Sequence, residues 1–141
     1  MSKNIYWINL FIVWILASIA TTGSLFFSEV MGFIPCSLCW YQRIFMYSLS
    51  FIFLVAVISP DKNIIKYGLT LAIPGWAFAL YHNLLHYKII PESASPCQQG
   101  VPCSQVWIKW WGFLTIPMLS FIAFSLIIFI LLYLWRNFHE E

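Results

Sequence analysis

Charge is what this sequence has least of. Only 9% of its 141 residues are Asp, Glu, Lys or Arg, against roughly 25% in a soluble domain. So few charges cannot cover a water-facing surface, which excludes an ordinary soluble fold. With 62% hydrophobic residues, a membrane is the expected solvent. There is no basic run, and a net charge of +2 gives no ground for a nucleic-acid partner. A Gly-rich dinucleotide fingerprint, a phosphate-cradling loop and a haem-attaching C-x-x-C-H are all missing. An internal repeat and a soluble domain are missing too. The length suits one domain.

The few charges are spaced tellingly. Lys3 is followed by 25 uncharged residues up to Glu29, and Arg43 by 17 up to Asp61. Lys66 and Lys88 enclose 21, and Lys109 and Arg136 enclose 26. About 20 apolar residues in a helix cross a bilayer core of ~30 Å. Lipid offers unpaired backbone groups no partner, so the spans are helical. The expected fold is all-α, an integral membrane four-helix bundle, with spans near residues 6–27, 41–58, 65–87 and 113–135. Ser18 and Ala20 after an apolar run resemble a signal-peptide end, but Leu25, Phe26 and Phe27 prolong the run, as in an anchor.

Four spans with short connections alternate in direction. The N-terminus, the 59–64 loop and the C-terminus share one side, with Lys3, Lys62, Lys66 and Arg136. The loops 28–40 and 88–112 share the other, with Lys88, Lys109 and, at the membrane edge, Arg43. The positive-inside rule puts the first side in the cytoplasm. All four cysteines fall in the opposite loops, where disulfides persist. Trp107, Trp110 and Trp111 around Lys109 read as an interfacial aromatic belt.

The stretch CSLCWYQR, residues 36–43, heads the second span. A C-x-x-C pair closes a small, reducible disulfide, and a helix start with a nearby cation stabilises its thiolate. Arg43 is i+4 from Cys39, on the same helix face. The spacing reads as an electropositive seat for a sulfur anion at Cys39 or for an anionic ligand beside it. Against this, Arg43 snorkelling to headgroups is an ordinary alternative. A static brace explains the C-x-x-C poorly, because so small a loop constrains little of the unfolded chain. Cys97 and Cys103 alone would read as a loop staple; beside the C-x-x-C they form a second redox couple. Zinc is not expected, since two helices separate the pairs and an oxidising compartment competes for the thiols. His82 and His86 are i, i+4 near the outer end of the third span. With no carboxylate partner no metal is assigned, but ionisable residues inside a span are functional candidates. Pro74 and Pro117 bend or start helices and carry no chemistry.

These features resemble the DsbB family of membrane disulfide-bond formation proteins. The resemblance rests on CSLCWYQR before the second of four spans, a cysteine pair in the loop before the fourth, and LTIPMLSFIAF at 114–124. The close spacing of Cys97 and Cys103 is similar to the short-loop branch called BdbC of Gram-positive bacteria. Vitamin K epoxide reductase is a related four-helix design, but its C-x-x-C lies late in the chain. The resemblance implies a bacterial plasma-membrane enzyme that reoxidises a thioredoxin-like extracytoplasmic dithiol oxidase, similar to DsbA or BdbD. It passes the electrons to a membrane quinone, menaquinone or ubiquinone. It implies Cys36 and Cys39 as the quinone-linked pair, and Cys97 and Cys103 as the pair that exchanges with the partner. Cys39 would face the quinone, with Arg43 and His82 helping to bind it. The competing reading is a non-catalytic tetraspan scaffold with structural disulfides, which gives no reason for an arginine one turn past Cys39.

Overall fold

The computed structural model describes residues 2–97 and 99–139. Four long helices dominate it: α1 (Lys3–Leu25), α2 (Ser37–Ile58), α3 (Ile64–His86) and α4 (Ile116–His139). All four are long and apolar enough to cross a membrane. The burial pattern agrees. Leu10, Val13 and Ala17 of α1, Leu49 and Phe53 of α2, Ala72 and Ala79 of α3, and Phe124, Ile127 and Leu131 of α4 form a closed core. Yet Phe51, Ile58 and Phe129, on outward faces, are each more than two-thirds exposed. A bundle apolar both inside and outside is built for lipid.

Small residues set how closely the helices approach. A Cβ on Gly68 of α3 would stand 2.7 Å from the Phe53 ring of α2, and a Cβ on Gly75 would overlap the Phe124 ring of α4. Such close approach stabilises helix pairs where lipid offers no hydrophobic drive. At one end of the bundle, the Tyr6 hydroxyl donates to the Asp61 carbonyl at 2.7 Å and Trp7 Nε1 donates to the Val57 carbonyl at 3.0 Å. These bonds hold the start of α1 to the α2–α3 connection.

The opposite end carries the cysteines. There α1 loosens into a π turn over Phe26–Val30, and Phe33 stacks on Trp107 of the second loop at 5.0 Å. A two-stranded hairpin, β1 (Lys109–Trp110) with β2 (Leu114–Thr115), leads directly into α4. Its turn puts Trp111 and Gly112 at positive φ, and leaves Trp111 86% exposed.

At the cysteine end, two helix starts differ from the sequence expectation. The first four residues of α2, 37–40, come before the expected start at 41, and Cys36 is its N-cap, with its sulfur accepting from the Cys39 backbone N–H. The helix of span four begins at 116 rather than 113, because the hairpin takes residues 109–115.

Candidate functional site

The cysteines are brought together by three elements. Cys36 caps α2 and Cys39 lies in its first turn. Cys97 and Cys103 lie in the loop between α3 and the hairpin and are joined by a disulfide, whereas Cys36 and Cys39 are free thiols. The Cys36 and Cys39 sulfurs are 3.1 Å apart. The Cys36 sulfur also lies within 4.8 Å of both loop sulfurs. Cys36 is therefore the shared member of two pairs that lie far apart in sequence. Cys36, Cys97 and Cys103 are all buried, in a small apolar cluster with Leu38 of α2 and Leu85 of α3.

His82 reaches this cluster from α3. Its Nε2 is 3.8 Å from the Cys36 sulfur and 3.0 Å from the Cys103 carbonyl oxygen. Its Nδ1 is 3.0 Å from the Gln42 side-chain nitrogen. Both ring nitrogens are thus engaged within the protein. The Cys36 thiol is held well below the ordinary thiol range. Its hydrogen bond with Cys39 is the largest cause, burial opposes the shift, and the His82 hydrogen bond adds to it.

Arg43 reaches across to a neighbouring helix. Its fork turns toward α1, where Nε donates to the Ser24 hydroxyl and a terminal nitrogen donates to the Ser24 carbonyl, each at 2.9 Å. The guanidinium lies 5.3 Å from the Trp40 ring centre. These contacts tie the charged end of Arg43 to α1.

Beside the cysteines, α1, α2 and α4 enclose a largely apolar cavity of about 420 Å³. Cys39 and Arg43 line it, and so do His82, His86 and loop residues 101–108. Three buried polar atoms on its wall have no hydrogen-bond partner: Tyr47 hydroxyl, His86 Nδ1 and Thr115 Oγ1. Buried polar groups are nearly always paired, and an apolar pocket with a few convergent polar atoms is the usual form of a small-molecule site. Sequence reasoning missed Gln42, Tyr47 and Thr115, as well as Ser24. Only Gln42 had a signal, as an amide within the first turns of a membrane helix.

Comparison with known proteins accords with this geometry. The family model "Disulfide bond formation protein DsbB" matches residues 5–134. The chain belongs to the DsbB family. Among DsbB-family relatives, it is 48% identical over 119 residues to "Disulfide bond formation protein C" of Bacillus subtilis, covering 84% of this chain and 86% of that one. It is 43% identical over 123 residues to a "Probable disulfide formation protein" of Oceanobacillus iheyensis, covering 86% and 84%. A "Probable disulfide formation protein" of Deinococcus radiodurans is 40% identical over 132 residues, covering 87% and 86%. No solved structure matches. Membership in the DsbB family makes this a multi-pass membrane protein of disulfide formation, an oxidoreductase by its family.

Proposed function

We propose that the chain reoxidises an extracytoplasmic, thioredoxin-like dithiol oxidase and delivers the electrons to a membrane quinone. The observation that carries this reading is the position of Cys36, within 4.8 Å of the loop sulfurs and 3.1 Å from Cys39, at the head of an apolar cavity. The cysteine loops then face outward, and both termini face the cytoplasm.

Sulfur exchange runs through Cys36. A partner thiolate attacks the Cys97–Cys103 disulfide, and the partner leaves oxidised with the loop pair reduced. A loop thiolate next attacks the Cys36 sulfur of a Cys36–Cys39 disulfide, and Cys39 leaves as thiolate. The second loop cysteine attacks the resulting mixed disulfide, which closes Cys97–Cys103 and expels Cys36 as thiolate. The His82 Nε2–H stabilises that leaving sulfur, and a better-stabilised leaving thiolate departs faster.

The cavity fits a quinone head group. It is apolar, Cys39 is in its wall, and its unpaired Tyr47, His86 and Thr115 atoms can meet carbonyl oxygens. A quinone held there would accept the two electrons and two protons that Cys36 and Cys39 give up on closing to a disulfide. Arg43 keeps a fixed positive charge on the cavity wall.

The test uses purified chain in lipid nanodiscs with a reduced thioredoxin-like dithiol protein and a soluble quinone. Quinol formation in step with partner oxidation, lost in Cys39→Ser, is the expected result. Both pairs remaining oxidised, with no quinone turnover, would instead assign the disulfides to a scaffold.

A further inference from the structure

Gln42 takes no part in the sulfur exchange, yet it is buried one turn past Cys39 and spends its amide nitrogen on His82. The proton on that ring can be located by elimination. A carbonyl oxygen only accepts, so the 3.0 Å contact between His82 Nε2 and the Cys103 carbonyl requires the proton on Nε2. In the neutral ring Nδ1 is then an acceptor, and the Gln42 N–H is the donor that meets it. With the other tautomer, Nε2 would turn a lone pair toward both the Cys103 carbonyl and the Cys36 sulfur. With the proton on Nε2, the ring donates toward both groups it bridges, and the Gln42 N–H meets the lone pair left on Nδ1. Tautomer control through the second ring nitrogen is a general way of setting what a histidine does.

We propose that Gln42 is the positioning residue of this redox centre. By holding His82 in its Nε2–H form, it keeps the Cys97–Cys103 loop docked over Cys36 and keeps a donor on the Cys36 sulfur. In the exchange step the sulfur–sulfur bond between Cys36 and a loop cysteine breaks, the Cys97–Cys103 bond forms, and the electron pair goes to Cys36. Gln42 acts on that step through His82 and touches neither sulfur pair. The inference rests on the exchange reading above but not on its quinone part.

The titratable surroundings of Cys36 are few. Cys39 on α2 and His82 on α3 face it, the loop contributes Cys97 and Cys103 as a disulfide, and Arg43, Tyr47 and His86 line the adjoining cavity. Among the described residues, α1 and α4 place no titratable group on that cavity wall.

The test is site-resolved alkylation of the full chain in nanodiscs with the Cys36–Cys39 pair reduced, followed by mass spectrometry across a pH series. Gln42→Leu should slow Cys36 alkylation about tenfold or more at neutral pH, since a hydrogen bond to a charged group is lost. The rates should converge with those of the unaltered protein at alkaline pH. Gln42→Glu should keep Cys36 reactive, because its carboxylate accepts from Nδ1–H and leaves Nε2–H in place. On a His82→Leu background, Gln42→Leu should add no further loss. Unchanged alkylation in Gln42→Leu, or an equal fall in Gln42→Leu and Gln42→Glu, would overturn the proposal and leave Gln42 as packing. Failure of the quinone reading would appear separately, as absent quinol formation by the unaltered protein with these alkylation differences intact.

Discussion

Arg43 and Ser24 join α2 to α1 at the mouth of the cavity. One guanidinium gives two hydrogen bonds of 2.9 Å, one to the Ser24 hydroxyl and one to its carbonyl, just before α1 loosens into its π turn. π turns recur at functional sites, where they free backbone groups for other partners. Here the arrangement lets a permanently charged side chain sit at membrane depth without a carboxylate. Its charge stays on the cavity wall, close to Cys39.

Two variants separate the roles of that contact. Arg43→Ala removes both the helix tie and the charge, and should raise the KM for a soluble quinone at least about tenfold while lowering the Tm. Hydrogen bonds to charged groups are worth roughly 1.5–3 kcal/mol. Ser24→Ala removes only the hydroxyl partner and should lower the Tm with a much smaller change in KM. Equal KM effects in the two variants would show that Arg43 acts only as a tie. Steady-state quinone reduction and thermal unfolding in nanodiscs provide both readings.

Cys36 and Cys39 should fail in different ways. In Cys39→Ser, the Cys36 thiolate has the loop disulfide within reach. Its attack gives a mixed disulfide between Cys36 and one loop cysteine, in exchange with the closed loop pair, and acid quenching should trap it. In Cys36→Ser no such species should form, since Cys39 is not in the sulfur group that includes the loop pair. Non-reducing peptide mapping distinguishes the two, and an equal yield of Cys39–loop disulfide in Cys36→Ser would contradict the central position of Cys36.

Much of this architecture was legible in the sequence because bilayer thickness is a strict ruler. Four charge-free gaps of spanning length have few other readings, and the cysteine loops fall at one end by simple alternation. Boundaries were harder. The α2 start is set by the Cys36 sulfur capping the Cys39 N–H, a contact that charge spacing does not report. The Ser24 contacts of Arg43 were not legible, because i+4 spacing describes one helix and is blind to a serine on the neighbouring one. The Gln42–His82 contact joins residues 40 positions apart. Neither periodicity nor charge counts register such a pair, and only packing of α2 against α3 creates it.

The lowered Cys36 pKa gives a pH signature in stability. A thiol depressed in the folded state binds its proton less tightly there than when unfolded. Folding then releases a proton between the two pKa values. The stabilisation is complete above the unfolded value, about 8.5 for a free cysteine, and is lost as pH falls through the folded value. With the Cys36–Cys39 pair reduced, the Tm advantage over Cys36→Ser should grow from about pH 5 to about pH 8. A flat difference across that range would show that Cys36 titrates like an ordinary thiol.

The glycines of α3 should tolerate no side chain. Gly75→Ala drives a methyl into the Phe124 ring, and Gly68→Ala brings one to 2.7 Å from Phe53. Overpacking of this kind costs roughly 1–3 kcal/mol. Both variants should lower the Tm. Pairing Gly75→Ala with Phe124→Leu should recover part of the loss, because the smaller side chain vacates the space. No recovery in the pair would place the strain elsewhere.

Thr115 offers the sharpest reading of what the cavity holds. It is the second residue of β2, its residue is 2% exposed, and its hydroxyl has no partner although it lines the cavity. A valine would occupy nearly the same space with no polar atom to leave unpaired, so burial alone predicts that Thr115→Val is neutral or stabilising without ligand. If the hydroxyl donates to a quinone carbonyl, the same substitution should raise the KM for the quinone about fivefold to tenfold, as expected for a net loss near 1 kcal/mol or a little more. Thr115→Ser should retain the KM of the unaltered protein. Stabilisation by a non-reducible quinone analogue, read as a shift in Tm, should fall in Thr115→Val and persist in Thr115→Ser. A valine variant that gains stability and keeps both its KM and its ligand-induced shift would show that the hydroxyl faces something other than the electron acceptor.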